Sequence, residues 1–312
     1  MINNKSICAK ADLEVSDLMA NGGYLQDEQA ERFVLKMIEE SVILKMIKVM
    51  GMKSHTKTID KVGIDGWVLK PGTSGHALAE ADRTTPVTEN VVLNTHLMKG
   101  EIRLSYETLE DNIEGKKFKS TVTNMMAEHV ALDMDKAAVN ADSTGATGTI
   151  LDMFDGMLAS ATSHIVNGNN VSINKGMLRD DVKAMQSRYN RLKQKQKFLT
   201  SDDADTDYRD YLSDRIGQVS DKFLEGTAPV YYNGRAMIPV PVFPDNLGVG
   251  ADTTNILLTD PKNAVWGVWR KVMFETDKDI TAGKWIMVAT VRTGFVWEEE
   301  DAVVKVINVK TQ

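Results

Sequence analysis

The chain has 312 residues, 42% hydrophobic and 26% charged, with a formal net charge of −7; this is a globular mixture, long enough for two domains. No apolar run reaches the roughly 18–20 residues that span a bilayer, and the acidic balance is the wrong sign for a surface built to displace counterions from nucleic-acid phosphates. The single cysteine, Cys8, excludes an internal disulfide framework and a cysteine-rich zinc site, and suits folding in a reducing cytoplasm.

Residues 1–25 are polar, lack the apolar core of a secretory signal, and close on "NGGY" as a flexible arm. Phe33, Val34, Met37, Ile38, Val42, Ile43, Met46 and Ile47 then recur at helical spacing, so an amphipathic helix is expected over 26–52, with a break near Glu40–Ser41 and a stop at Gly51. From Lys53 to Pro86 six glycines or prolines accompany scattered apolar residues. "GIDGWVLKPGTSG" predicts a loose hairpin there, with Trp67, Val68 and Leu69 on one arm and turns at Asp65–Gly66 and Pro71–Gly72. A segment with so few large side chains cannot make its own core, and long loops of this kind are usually functional.

"VVLNTHLMKGEIRLS" alternates in period two and changes phase after Lys99–Gly100, predicting one long strand, Val91 to Leu104, bulged at the glycine. "SYETLEDN" makes a short helix at most. Glu114 to Ala141 reads as a helix, with Phe118 to Ala141 holding helical spacing without Gly or Pro between them, a rod of about 42 Å. Beyond it "INKGMLRDDVKAMQSRYNRLKQ" reads as a helix, "KFLTS" as a short buried strand, and "DADTDYRDYLSDRIG" as a helix with an acidic first turn. "YYNGRAMIPVPVFP" reads as a hairpin at Asn233–Gly234 with a proline-stiffened strand. "NILLTDPKNAVWGVWRKVMFETD", "KWIMVATVRTGFVW" and "DAVVKVINV" are the remaining strands.

Chemical motifs are sparse. The five histidines are scattered, with no pair at ligand spacing. Asp203, Asp205 and Asp207 alternate as in a calcium loop, but Tyr208 stands where that loop needs glycine and Asp214 where it needs glutamate; acids at a helix start also stabilise it through the macrodipole. "PGTSGHA" lacks the spacing of a nucleophile elbow, and "GVGADT" has two glycines of a dinucleotide fingerprint. "KKFKS" is a small basic cluster and "WEEED" reads as a solvated turn between strands. Seventeen methionines suit adaptable core packing, or a core that repacks between states. No catalytic residue, metal ligand or cofactor site is nominated. A reading from another class remains, a metal-dependent hydrolase using Asp202, Asp203, Asp205 and Asp207.

The order of features carries a resemblance. "GGYLQDEQAERFVLKMIEESVI", then "KTIDKVG" and "GWVLKPG", then "AEADRTTPVTENVVLNTHLMKGEIRLSYETLEDN" and "NMMAEHVALDMDKAAVNADSTGAT" together resemble the major capsid proteins of tailed bacteriophages with the Hong Kong 97-type fold. The likeness runs from about Gly22 to Val309. It implies an α+β chain with an N-terminal arm (1–25), an N-terminal helix (26–52) and an extended loop (53–86). It further implies a peripheral domain (87–146 and 262–297) with a long spine helix and sheet, and an axial domain (147–261 and 298–312).

The implied role is a structural, non-enzymatic subunit that self-assembles as hexamers and pentamers into an icosahedral head around double-stranded DNA, without sequence-specific binding and without a membrane. It would assemble in the host cytoplasm and reside in the virion capsid; scaffolding, portal and decoration proteins are possible partners. Some members carry a scaffold segment before the arm; here about two dozen residues precede "GGYL", so the resemblance implies a separate scaffolding protein or none. The extended loop would be ordered by a neighbouring copy, with Lys61, Trp67, Leu69, Lys70 and Arg83 as inter-subunit contact candidates. Members that crosslink use a loop Lys, an Asn and a Glu. Lys61 or Lys70 matches the first, but Trp285 and Arg292 stand at the other two positions, so self-crosslinking is not expected. A bacterial nanocompartment shell of the same fold, enclosing enzymes, is the alternative.

Overall fold

Helix α1 (Ile43–Met46) leads within two residues into strand β1 (Lys48–Gly51), which pairs in parallel with β10 (Ala264–Asp279). β10 pairs antiparallel with β11 (Lys284–Trp297) and β11 with β4 (His96–Ser105), a four-stranded sheet in the order β1-β10-β11-β4. The computed structural model describes residues 43–64, 67–72, 74–106, 118–145, 147–213, 230–248 and 252–311. The expected N-terminal arm, most of the expected N-terminal helix, "SYETLEDN" beyond Tyr106, and the first turn of the expected long helix lie outside those residues.

Within them, the expectation of helix as far as Gly51 is overturned. From Lys48 the exposure alternates in period two, because the free edge of β10 offers ladder partners to the backbone of residues 48–51. The expected continuous strand through "NILLTDPKNAVW" is likewise divided. Pro261 lacks an N–H for the ladder and Asp260 Oδ1 accepts from Lys262 N at 3.0 Å, so a 3-10 turn separates β9 (Thr253–Thr259) from β10.

Helix α2 (Phe118–Asn140) lies on this sheet. Met126, Ala131, Met134, Ala137 and Ala138 share one buried cluster with Trp266, Met287, Ala289 and Val291. The alanines let the chain after the helix approach its last turn closely. Gly156 N donates to Ala141 O at 2.7 Å and Met157 N to Ala138 O at 2.8 Å, satisfying carbonyls that a helix end leaves open. A Cβ at 156 would sit 2.8 Å from Ala137 O, so only glycine fits.

The second sheet has six strands in the order β5-β12-β9-β6-β8-β7. They are β5 (Ile165–Ser172), β12 (Val304–Lys310), β9, β6 (Lys197–Thr200), β8 (Arg235–Pro239) and β7 (Tyr231–Tyr232). Strand β5 escaped sequence reading because Asn169 and Asn170, at φ 56° and 55°, interrupt its alternation. Helix α3 (Lys175–Ala184) stops ten residues short of expectation. Asn190 Nδ2 donates to Met185 O at 3.2 Å, folding the chain back into a 3-10 turn at Tyr189–Leu192. Helix α4 (Asp202–Ser213) starts at its acidic turn as expected. On β8, fully buried Arg235 donates to Gln196 Oε1 and Asn190 Oδ1, both at 2.7 Å. Burial raises Asp181 well above the usual carboxylate range, against the pull of the Arg235 charge.

A third unit is a two-stranded ribbon. β2 (Thr56–Ile64) and β3 (Pro86–Asn94) pair antiparallel without a break from Thr56↔Asn94 to Ile64↔Pro86. The expected single strand Val91–Leu104 is therefore two strands, parted at Thr95 and unbroken at Gly100, which pairs with Ala289 in regular register. Thr95 donates through N and Oγ1 to His55 O at 3.1 and 3.0 Å. The ribbon crosses the four-stranded sheet where Gly267 and Gly294 face each other. A Cβ at 294 would lie 1.8 Å from Asn94 O, and one at 267 would lie 2.6 Å from Leu93 Cδ2.

Candidate functional site

The ribbon and its tip are the feature the body does not absorb. On its inner face Leu93 is buried and Ile59, Lys61 and Val91 are partly so; on its outer face Val62 and Ile64 are 71% and 60% exposed. Beyond Ile64 the residues expected as a hairpin strand, Trp67 to Leu69, form no strand, and the expected turn at Asp65–Gly66 lies outside the described residues. Thr84 Oγ1 donates to Trp67 O at 3.3 Å across the tip. Trp67 is 84% and Leu69 88% exposed. Lys70 and Arg83 are exposed and form no ion pair among the described residues. Clustered exposure of large apolar side chains on one projection marks an interaction surface.

Lys61 behaves differently from the other four candidates. Its Nζ turns inward to Glu299 Oε2 at 3.4 Å, at the foot of the ribbon. Around it the "WEEED" turn, read from sequence as simply solvated, proves to be a charged hub. Glu298 Oε2 meets Lys48 Nζ at 2.8 Å, and Arg188 Nη2 meets Asp301 Oδ2 at 3.2 Å and Glu299 Oε1 at 3.9 Å. Burial pushes Glu300 upward, but hydrogen bonds from Thr162 and Ser163 outweigh it and hold the carboxyl below its usual range. Trp297 itself is buried. The available signal was four consecutive acids against a cation-rich "RYNRLKQK"; no local spacing rule connects segments a hundred residues apart.

Tyr189 lies in this hub with the Arg188 guanidinium 4.5 Å from its ring centre. Burial, then the charge and hydrogen bond of Glu299, push its hydroxyl up to about 12. The unfolded chain loses this proton near pH 10 and the folded chain near 12, so stability declines as pH climbs through that interval. Tyr189→Phe is expected to remove about 1 kcal/mol of that decline, after allowance for solvent screening; urea titrations of both proteins at pH 9 and 11.5 check it.

The fold also joins residues that sequence spacing kept apart. His55 and His96 come close enough that His96 is lowered, first by burial and then by the His55 charge. His55 stands 5.9 Å from the Trp269 ring, and Arg292 covers that ring at 4.5 Å. Trp285 is buried in the sheet. The calcium-like aspartates do not converge: Asp203, Asp205 and Asp207 lie on α4, where a two-residue step turns successive side chains by about 200°. Asp205 is instead paired with Arg209 at 2.7 Å. Among the described residues no group of three or more His, Cys, Asp or Glu side chains has metal-holding geometry. Among the described residues, Asp202, Asp203, Asp205 and Asp207 therefore do not assemble the site that a metal-dependent hydrolase reading requires.

A folded body from which an apolar arm projects unburied presents a surface for contact with other molecules. The chain is 31% identical over 312 residues, 99% of its length and 100% of the other's, to a protein of Bacillus subtilis (strain 168) named as a prophage capsid protein, YqbE. It superposes on the capsid of a GTA particle with a TM-score of 0.62 at 15% identity, covering 86% of this chain and 90% of that one. It superposes on a satellite phage P4 procapsid chain with a TM-score of 0.65 at 14% identity, covering 100% and 99%. An encapsulin of Synechococcus elongatus fits less well, at a TM-score of 0.56 and 10% identity over 99% and 96%. No family model matches the chain. The chain belongs to the phage major capsid proteins with the Hong Kong 97-type fold, and its role is that of a structural subunit of the capsid shell.

Proposed function

We propose that the protein builds a closed shell of hexamers and pentamers around double-stranded DNA, and that the arm is ordered by lying on a neighbouring copy. The observation that carries this reading is the exposure of Trp67 and Leu69 at 84% and 88%. Aromatic anchors of this kind dominate interfaces once desolvated, and obligate assemblies bury roughly 2,000–5,000 Å². Trp67, Leu69, Lys70 and Arg83 are the contacts with the neighbour, while Lys61 holds the ribbon's foot to its own subunit. The outward face of α2 is the receiving surface: Met125 and Leu132, both 52% exposed, are seven residues apart and so share one side of the helix.

In this reading the four-stranded sheet with α2 forms the peripheral domain and the six-stranded sheet the axial domain. The acidic balance suits a shell whose lining must let packaged DNA move. The subunit catalyses nothing and assembles in the host cytoplasm. Sedimentation and negative-stain microscopy of the expressed chain, alone and with the product of an adjacent scaffold gene, test this. Closed particles are expected; a strictly monomeric species under both conditions would refute it. Particles isolated from the native host with a cargo enzyme in place of DNA would support the nanocompartment reading instead.

A further inference from the structure

Charge is segregated along the short strand β6. The segment before and into it, residues 188–197, carries Arg188, Arg191, Lys193, Lys195 and Lys197 and no acid. The segment after it, 202–210, carries five aspartates and one arginine. The basic end lines a cleft of about 700 Å³ under the ribbon's foot, to which Lys61, Arg188, Arg191, Lys195 and Lys262 contribute. Of the acids that share the cleft wall, Glu298 is engaged with Lys48, Glu299 with Lys61 and Arg188, and Asp260 Oδ1 accepts from the Lys262 backbone N at 3.0 Å. Arg191 and Lys195 are exposed and have no ion-pair partner among the described residues.

At the other end of β6 the imbalance is of opposite sign. Asp202, Asp203 and Asp245 are exposed and close together. Burial and then the neighbouring carboxylates push both Asp202 and Asp245 upward, against a Ser201 hydrogen bond to Asp245, and among the described residues neither forms an ion pair. Four residues of strand separate the two ends by about 13 Å before flanking turns are counted, beyond the roughly 8–10 Å over which exposed charges act in physiological salt. Among the described residues, the acids at the far end of β6 therefore do not reach this cleft within one subunit.

We propose that the cleft lined by Arg191 and Lys195 is the docking site for the Asp202–Asp203–Asp245 end of an adjoining copy, and that this pairing sets the head-to-tail register within a capsomer. A contact between two different patches of identical subunits is heterologous and closes into a ring when the rotation permits. Complementary charge fixes orientation and suppresses wrong pairings. The pairing rests on the shell reading above and adds the partner surface that the arm alone leaves undefined.

Charge reversal tests it. R191E/K195E and D202K/D203K are each expected to raise the protein concentration needed for assembly by roughly tenfold or more, and the four-fold combination is expected to restore it towards the unaltered value. Circular dichroism melts of the unassembled chains verify folding, and the neutral pair R191Q/K195Q provides a milder version of the same loss. The pairing is overturned if both reversed proteins assemble normally, or if the combination is no better than either alone. It is equally overturned if R191E/K195E assembles normally but loses retention on duplex DNA, which would make the cleft a nucleic-acid surface. If the unaltered chain forms no particles, the shell reading falls and takes the pairing with it; particles formed equally well by both reversed proteins would remove the pairing alone.

Discussion

Replacing residues 65–85 with the two-residue turn Asn-Gly is expected to leave the monomer folded and abolish assembly. Ile64 and Pro86 are the last paired residues of the ribbon, so a tight hairpin turn closes the gap without disturbing the ladder. The excised side chains contribute almost nothing to the monomer, since Trp67 and Leu69 are 84% and 88% exposed; the change in unfolding free energy should stay within about 1 kcal/mol. Assembly should suffer far more. Each neighbour contact would lose an aromatic anchor of about 2 kcal/mol or more, repeated at every arm in the shell. Denaturant titration measures the first effect and sedimentation velocity the second. Normal particles from the excised chain would show that the arm is not an assembly element.

Gly294→Val is expected to be the most damaging single substitution in the described body. Its Cβ would stand 1.8 Å from Asn94 O and 2.9 Å from the Asn94 carbonyl carbon, so backbone must move where no side chain can yield. That shift would pull Thr95 from His55, losing two hydrogen bonds at 3.1 and 3.0 Å. Overpacking at about 1–3 kcal/mol and two hydrogen bonds at about 1 kcal/mol each give a loss of about 3–5 kcal/mol. The denaturation midpoint should fall accordingly, and amide exchange should accelerate through β2 and β3. Gly100→Ala is the control. Its Cβ would meet only the flexible tip of Met126 at 3.4 Å, so stability should barely change. Equal damage from the two substitutions would mean that the ribbon does not pivot on the glycine pair.

These two glycines show where sequence reading ran out. Gly100 interrupts a visible alternation, so local periodicity predicts a bulge there, but the strand runs through it in regular register opposite Ala289. Gly294 sits inside "RTGFVW" with no local sign of its purpose, because the atom it makes room for belongs to a chain segment two hundred residues earlier. The same holds at the ribbon's foot. "WEEED" has the composition of any solvated turn, and its partners Lys48, Lys61 and Arg188 are scattered along the chain.

Composition, the long helical period and the glycine-rich segment that has no core of its own were legible in the residues, and their order was enough to point to the capsid fold. Period and composition are local properties, and hydrophobic spacing records which face of an element is buried wherever that element ends up. Tertiary structure alone decided that residues 48–51 are a strand, that Val91–Asn94 belong to the arm, and that Lys61 anchors its own subunit. Each of these depends on which backbone edge or charge lies within a few ångströms, and that distance is set only when distant segments pack.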